Sequence, residues 1–286
     1  MHGGSEAIGS RAPLYGTCLL TVALTCGGIA SCSDGPVAAP ARRQDQAQPP
    51  APAIIHVAAA SDLARVFEEL GRAFAGKTGQ KVAFTFGASG MLAKQLREGA
   101  PFDMFASANS AFVEDVIAAG ACDRATRALY AHGHLVVWSK LGVRPAFALA
   151  DLADARFRRM ALANPEHAPY GKAARQALQR AGLWQTLESR IVYGENIRQA
   201  HQFAQSGNAE AALVALSLVI GTTDGAYTEV DQALHEPIDQ TLVACLRGKN
   251  PVGGRAFASF VAGADGRGTM RRYGFLLPGE SAPPGR

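Results

Sequence analysis

The stretch Ile54-Ile55-His56-Val57-Ala58-Ala59-Ala60-Ser61-Asp62-Leu63-Ala64-Arg65-Val66-Phe67-Glu68-Glu69-Leu70 carries two hydrophobic patterns in succession. Residues 54–59 are a strand-length run, apolar apart from His56. From Leu63 onward the apolar residues Val66, Phe67, Leu70 and Phe74 fall on one helix face, until Gly76. A buried strand that feeds directly into an amphipathic helix is the repeating unit of an α/β sheet.

The same unit recurs along the chain. Lys81 to Phe86 reads as a strand, and Gly87-Ala88-Ser89-Gly90 turns into a helix carrying Leu92 and Leu96, stopped at Gly99-Ala100-Pro101. Phe102 to Ala106 is a third strand, and Asn109 or Ser110 caps a helix through Val113, Val116 and Ile117. Leu129 to Ser139 reads as one long strand leaving this lobe. The pattern then restarts with a strand at Arg159–Ala163, a helix at Gly171–Ala181, a strand at Arg190–Tyr193, a helix at Asn196–Gln205 and a strand or strand-helix junction at Ala212–Val219. Ile238 to Leu246 is a second long strand that brings the chain back, and helices near Ala256–Val261 and Met270–Tyr273 finish the first lobe. The expected organisation is therefore an α/β protein of two lobes with a hinge and an interlobe cleft. Lobe I is 54–139 plus 237–286, and lobe II is 140–236.

The residues before Ile54 read differently. Residues 1–32 resemble an export signal, with Arg11 ahead of an apolar stretch from Leu14 to Ala30. Ile29-Ala30-Ser31-Cys32 resembles a bacterial lipobox, which makes Cys32 the expected lipidation site and a membrane anchor the expected consequence; cleavage near Ala38–Ala41, with Cys32 discarded, is the alternative. Residues 33–53 are rich in Ala, Pro and Gln and read as a flexible tether.

Composition narrows the function classes. The net charge is +4, and the three basic and three acidic side chains of residues 1–53 cancel, so the excess is spread thinly over the remainder. No basic stripe with interleaved aromatics is present, which argues against nucleic acid as a partner. No Cys/His group has zinc spacing, and no resident cofactor is expected. Beyond Cys32 only Cys122 and Cys245 remain, to pair or to stay as buried thiols. His132 and His134, two apart in a strand-like run, are expected on one sheet face with a surface or hinge role.

Functional chemistry concentrates where strands become helices. Ala163-Asn164-Pro165-Glu166-His167-Ala168-Pro169-Tyr170-Gly171 is a loop held by two prolines and delivered onto a helix start. Free N–H groups and the positive end of the helix dipole make such a start attractive to anions. Four junctions share this character: Ala60-Ser61, Ser89-Gly90, Tyr170-Gly171 and Asn196-Ile197. Ser61, Ser89, Tyr170 and Ile197 are the leading ligand residues, with Ala60, Gly90, Gly171 and Asn196 secondary. Such a site consists of donors alone and suits a fully deprotonated oxyanion. Either serine also reads as an ordinary helix cap.

An enzyme is the competing class. Phe86-Gly87-Ala88-Ser89-Gly90-Met91 lacks the glycine that a nucleophile elbow needs at position 91. Ser61-Asp62 has no triad spacing to His167 or His201. Glu166 and His167, adjacent in a loop, read as solvated side chains rather than an acid/base pair.

Read in order, Val57-Ala58-Ala59-Ala60-Ser61, Gly87-Ala88-Ser89-Gly90, Gly99-Ala100-Pro101-Phe102-Asp103, Ser107-Ala108, Asn164-Pro165 through Pro169-Tyr170-Gly171, Gln199-Ala200-His201, Val214-Ala215-Leu216-Ser217 and Tyr273-Gly274-Phe275 resemble the ModA family, over residues 54 to 278. That family comprises the periplasmic molybdate- and tungstate-binding proteins of ABC importers. The resemblance implies a type II periplasmic-binding-protein fold and a monomeric, non-catalytic receptor in the periplasm or at the cell surface. It further implies molybdate or tungstate as ligand and an inner-membrane ABC permease as partner. Family ligand positions fall on Ser61, Ser89, Tyr170 and Ile197. One family branch adds a tyrosine hydroxyl where this chain has Ala215; the chain resembles the other branch, which leaves sulfate or thiosulfate as alternative anions.

Overall fold

The computed structural model describes residues 54–280. The expected signal at 1–32 with Cys32, the tether at 33–53 and residues 281–286 lie outside the described residues.

Two five-stranded mixed sheets form the frame. The first contains β1 (Ile55–Ala60), β2 (Val82–Gly87), β3 (Met104–Ser107), β4 (Ala128–Gly133) and β10 (Ile238–Ala244), in the order β2-β1-β3-β10-β4. The second contains β5 (Leu135–Lys140), β6 (Met160–Ala163), β7 (Ile191–Gly194), β8 (Ala211–Ala215) and β9 (Gly225–Glu229), in the order β7-β6-β8-β5-β9. In each, three strands run parallel and a fourth, β10 or β5, pairs antiparallel with the third. Those antiparallel strands are the two that arrive from the other sheet.

The helices of the first sheet are α1 (Ala64–Thr78), α2 (Ser89–Arg97), α3 (Ser110–Ala118), α8 (Pro251–Ala262) and α9 (Ala264–Arg272). Leu92, Leu96, Val113 and Val116 of α2 and α3 cover one face of this sheet, over Ala58, Phe105 and Val243. Phe67 and Phe74 of α1 and Phe257 of α8 pack on the other, with edge-to-face rings at 5.3–6.1 Å. Coverage on both faces explains why β1 reads as a nearly continuous apolar run rather than an alternation. Full burial of one such phenylalanine contributes about 1.5–3 kcal/mol. The second sheet carries α4 (Pro169–Arg180), α5 (Trp184–Leu187), α6 (Ile197–Gln205) and the single turn α7 (Leu216–Val219). Leu135, Trp138, Leu162, Leu178 and Val214 are fully buried there.

Two expectations are corrected. Leu129–Ser139 is two strands in two sheets: β4 ends at Gly133, β5 begins at Leu135, and His134 makes the crossing. The change of sheet therefore falls at His134, because both strands are buried and an apolar run carries no mark of it. Second, His132 and His134 do not share a face. His132 Nδ1 meets Asp239 Oδ1 at 2.8 Å on β10, whereas His134 Nδ1 lies 2.9 Å from Gln232 Nε2. β9 is not among the expected strands: it lacks the apolar periodicity that marks a buried strand, being largely exposed at the edge beside β5. Cys122 and Cys245 are joined as a disulfide.

Candidate functional site

The four leading residues follow the first two strands of each sheet. Ser61 comes directly after β1, Ser89 soon after β2, Tyr170 after the loop that leaves β6, and Ile197 after β7. In open α/β sheets the carboxyl ends of the strands face the binding crevice, so this placement aims all four helix starts at one place. The structure brings them together: Ser61, Ser89, Tyr170 and Ile197 line a single small cavity between the lobes, together with Ala60, Ala88, Ala108 and Ala168. All four are buried.

Neither serine is a helix cap. Ala60 and Ala88 occupy the cap positions; Ser61 begins the 3₁₀ turn Ser61–Leu63 that runs into α1, Ser89 is the first residue of α2, and neither start has a side-chain cap bond. Capping therefore does not consume their hydroxyls. Ser89 Oγ instead accepts from the N–H of Ala108 at 3.2 Å, which aligns it with the neighbouring loop. Pro169 is the first residue of α4 and has no N–H, so Tyr170 supplies that helix's first backbone donor. At α6 the Asn196 side chain accepts from the N–H groups of Arg198 and Gln199, at 3.1 and 3.2 Å, and leaves that of Ile197 outside the cap. Four helix starts thus offer N–H groups and two hydroxyls to one small volume. Among the described residues no lysine, arginine or histidine lines it. An anion held here is neutralised by oriented dipoles.

The secondary candidates separate. Ala60 lines the cavity. The N–H of Gly90 donates across the lobes to the carbonyl of His167 at 2.9 Å, so it is occupied by the protein itself. Gly171 packs against β6, where any side chain would run into the Ala163 carbonyl. Asn196 acts as the cap of α6 and lies outside the cavity lining.

The lobes are closed on each other around this cavity. Arg65 of α1 donates through Nη1 to the carbonyls of Ser217, Leu218 and Ile220 at 3.2, 3.1 and 2.9 Å, gripping the end of α7. Ser217 Oγ donates to the Asp62 carbonyl at 2.8 Å.

One wall residue carries an acidic side chain. Asp62 is buried in the cavity wall, and its Oδ2 accepts from Gln240 Nε2 at 2.7 Å. Burial pushes its carboxyl from the usual 3.8 up to about 7, against smaller opposing contributions from Gln240 and Tyr170. Desolvation also holds the Tyr170 and Tyr130 phenols well above 10. Asp62 follows Ser61 in the sequence, and the only signal for its role was a charged residue inside an otherwise apolar strand-to-helix turn.

The model of bacterial extracellular solute-binding proteins matches residues 55–276. The Rhodobacter capsulatus molybdate-binding protein ModA is 34% identical over 80% of this chain and 91% of its own. The chain belongs to the ModA family of bacterial extracellular solute-binding proteins. The solved periplasmic molybdate-binding protein of Azotobacter vinelandii superposes with a TM-score of 0.74 at 31% identity, covering 78% of this chain and 99% of that one. Within this family frame Ala215 closes β8, fully buried and outside the cavity lining. The Tyr170 phenol does not stand in at that position. Its Oη is turned toward Gly133 and Gln240, on the hinge side. Among the described residues no helix is long and apolar enough to cross a membrane, and no group of His, Cys, Asp or Glu is placed to hold a metal ion.

Proposed function

We propose that this chain captures molybdate or tungstate in the interlobe cavity and presents it, in the closed form, to an ABC permease. The observation that carries the reading is the convergence of four helix starts, two from each lobe, on one cavity whose wall holds no cation among the described residues. Charge-assisted hydrogen bonds to an oxyanion contribute about 1.5–3 kcal/mol each. A ligand bonded to both lobes stabilises closure by its differential affinity for the closed state. The ModA names of the relatives from Rhodobacter capsulatus and Azotobacter vinelandii support the choice of anion.

A receptor is favoured over a hydrolase. Among the described residues no imidazole lines the cavity, and Ser89 Oγ is engaged with the Ala108 N–H. Capture therefore involves no covalent step. The sequence of residues 1–32 supports export with Cys32 as a lipid anchor, which places the receptor outside the cytoplasm and tethered to a membrane.

Titration calorimetry of the full chain tests the anion. Tight binding of molybdate and tungstate with negligible heat from sulfate and thiosulfate is the expected result. Binding of sulfate as tight as that of molybdate would move the assignment to the smaller oxyanions, and silence with all four would end it.

A further inference from the structure

Asp62 presents the oxyanion reading with a physical problem. A carboxylate in the wall of a small closed cavity repels an anion held beside it, and the low dielectric of the interior enlarges that repulsion. Among the described residues the surroundings offer no compensating positive charge. Asp62 Oδ2 accepts one amide hydrogen from Gln240, and the other polar side chain beside the buried carboxyl is the neutral phenol of Tyr170. The titratable groups that face it are the phenols of Tyr170, from α4, and Tyr130, from β4, both neutral. The charged side chains of the packed elements are engaged elsewhere. Arg65 grips the carbonyls of α7, Arg198 and His201 line the outer groove, Lys172 pairs with Glu236, and Asp239 of β10 pairs with His132.

We infer that the cavity takes its oxyanion together with one proton, held on the carboxyl of Asp62. Protonated, Asp62 is neutral, and its repulsion of an anion in the adjoining cavity is removed. Tyr170 Oη and Gln240 Oε1, both buried, mark the same polar pocket at the meeting of lobe II and the hinge. The carboxyl is half-protonated near pH 7 before the anion arrives, so the proton is available at modest cost. The anion then favours the protonated form further, and anion and proton bind with positive coupling. This inference rests on the oxyanion reading of the site. The protein groups meet the oxygens of the anion, and no protein-metal bond is involved.

The experiment is calorimetry of the full chain with sodium molybdate between pH 6 and 8.5, repeated in buffers of different ionisation heat to count protons. Wild type is expected to bind about 30-fold more weakly at pH 8.5 than at pH 6, and to take up close to one proton per anion at the upper end. Asp62→Asn, which keeps the volume and an acceptor for Gln240, is expected to bind without proton uptake and with little change over the same range. Binding by wild type that is flat in pH and free of proton uptake overturns the inference while leaving the oxyanion reading intact. Loss of molybdate binding in a folded Asp62→Asn variant also overturns it, since the carboxylate would then be acting as an acceptor. Silence of the wild type at every pH removes both readings. The wild-type proton count stands alone should the variant fail to fold.

Discussion

The Tyr170 hydroxyl occupies the space that a side chain on Gly133 would need. A Cβ added to Gly133 overlaps Tyr170 Oη and comes within 3.0 Å of Cζ and 3.3 Å of Gln240 Nε2. Tyr170 belongs to the second lobe, and Gly133 closes β4 at the crossing between sheets. The contact exists because position 133 has no side chain. It ties the angle of the hinge to the placement of α4, whose first N–H faces the cavity.

Gly133→Ala is therefore expected to push the phenol away and resist closure. Overpacking of this kind costs about 1–3 kcal/mol, which corresponds to roughly tenfold weaker molybdate binding in titration calorimetry. Adding Tyr170→Phe removes the overlapping oxygen and is expected to recover part of the loss. A Gly133→Ala protein with unchanged affinity would show that this contact does not govern closure.

The two serines are expected to respond differently to alanine. Ser61→Ala removes a hydroxyl that caps no helix, so affinity falls about 10- to 150-fold with little change in melting temperature. Ser89→Ala removes the same kind of donor and also strands the N–H of Ala108, which now donates to Ser89 Oγ. An unsatisfied buried donor costs about 1–3 kcal/mol, so this variant loses stability as well as affinity. Thermal melts beside calorimetry separate the two, and equal melting losses in both variants would contradict the assigned geometry.

Much of this arrangement is legible in the chain because it depends on local signals. Apolar periodicity places β1 and α1, Pro169 marks the start of α4, and Asn196 caps α6 as its residue type suggests. The helix starts at Ser61, Ser89, Tyr170 and Ile197 follow from the same signals. What escapes is decided by tertiary partners. The change of sheet at His134 depends on which strands flank β4 and β5, and those are β10 and β8, more than seventy residues further on. Capping passes to Ala60 and Ala88 because each serine is the first residue inside its helical turn. Asp62 looks like a solvent-exposed first-turn acid until β4, β10 and α4 bury it.

Arg65 is expected to act as a clasp. Its guanidinium reaches three carbonyls of the second lobe from a helix of the first, a geometry that the single ammonium of lysine cannot reproduce. Arg65→Lys should favour the open form in the absence of ligand. Small-angle scattering then reports a larger radius of gyration than wild type without anion, and matching values with saturating molybdate. Identical radii in both states would show that closure does not depend on this grip.

Acid stability should reveal two opposing sets of buried groups. Burial lowers His201 to about 4 and also lowers His134 and His235, so between pH 4 and 6.5 the unfolded chain binds more of these protons than the folded one. Their contribution is lost as pH falls through that window. Asp62 works in the other direction. With its carboxyl raised from 3.8 to about 7, the folded state holds a proton that the unfolded chain has released, and stability declines as pH rises between those values. In wild type the two slopes largely offset each other below pH 6.5. Asp62→Asn removes one of them, so its stability is expected to climb from pH 5 to pH 7 more steeply than that of wild type. Its advantage should grow by on the order of 2 kcal/mol over this interval and then level off above pH 8. Denaturant melts at pH 5, 6, 7 and 8 measure the difference directly. A constant offset between the two proteins at all four values would mean that Asp62 is ionised in the folded state throughout, and the proton it is assigned in the anion site would have no source.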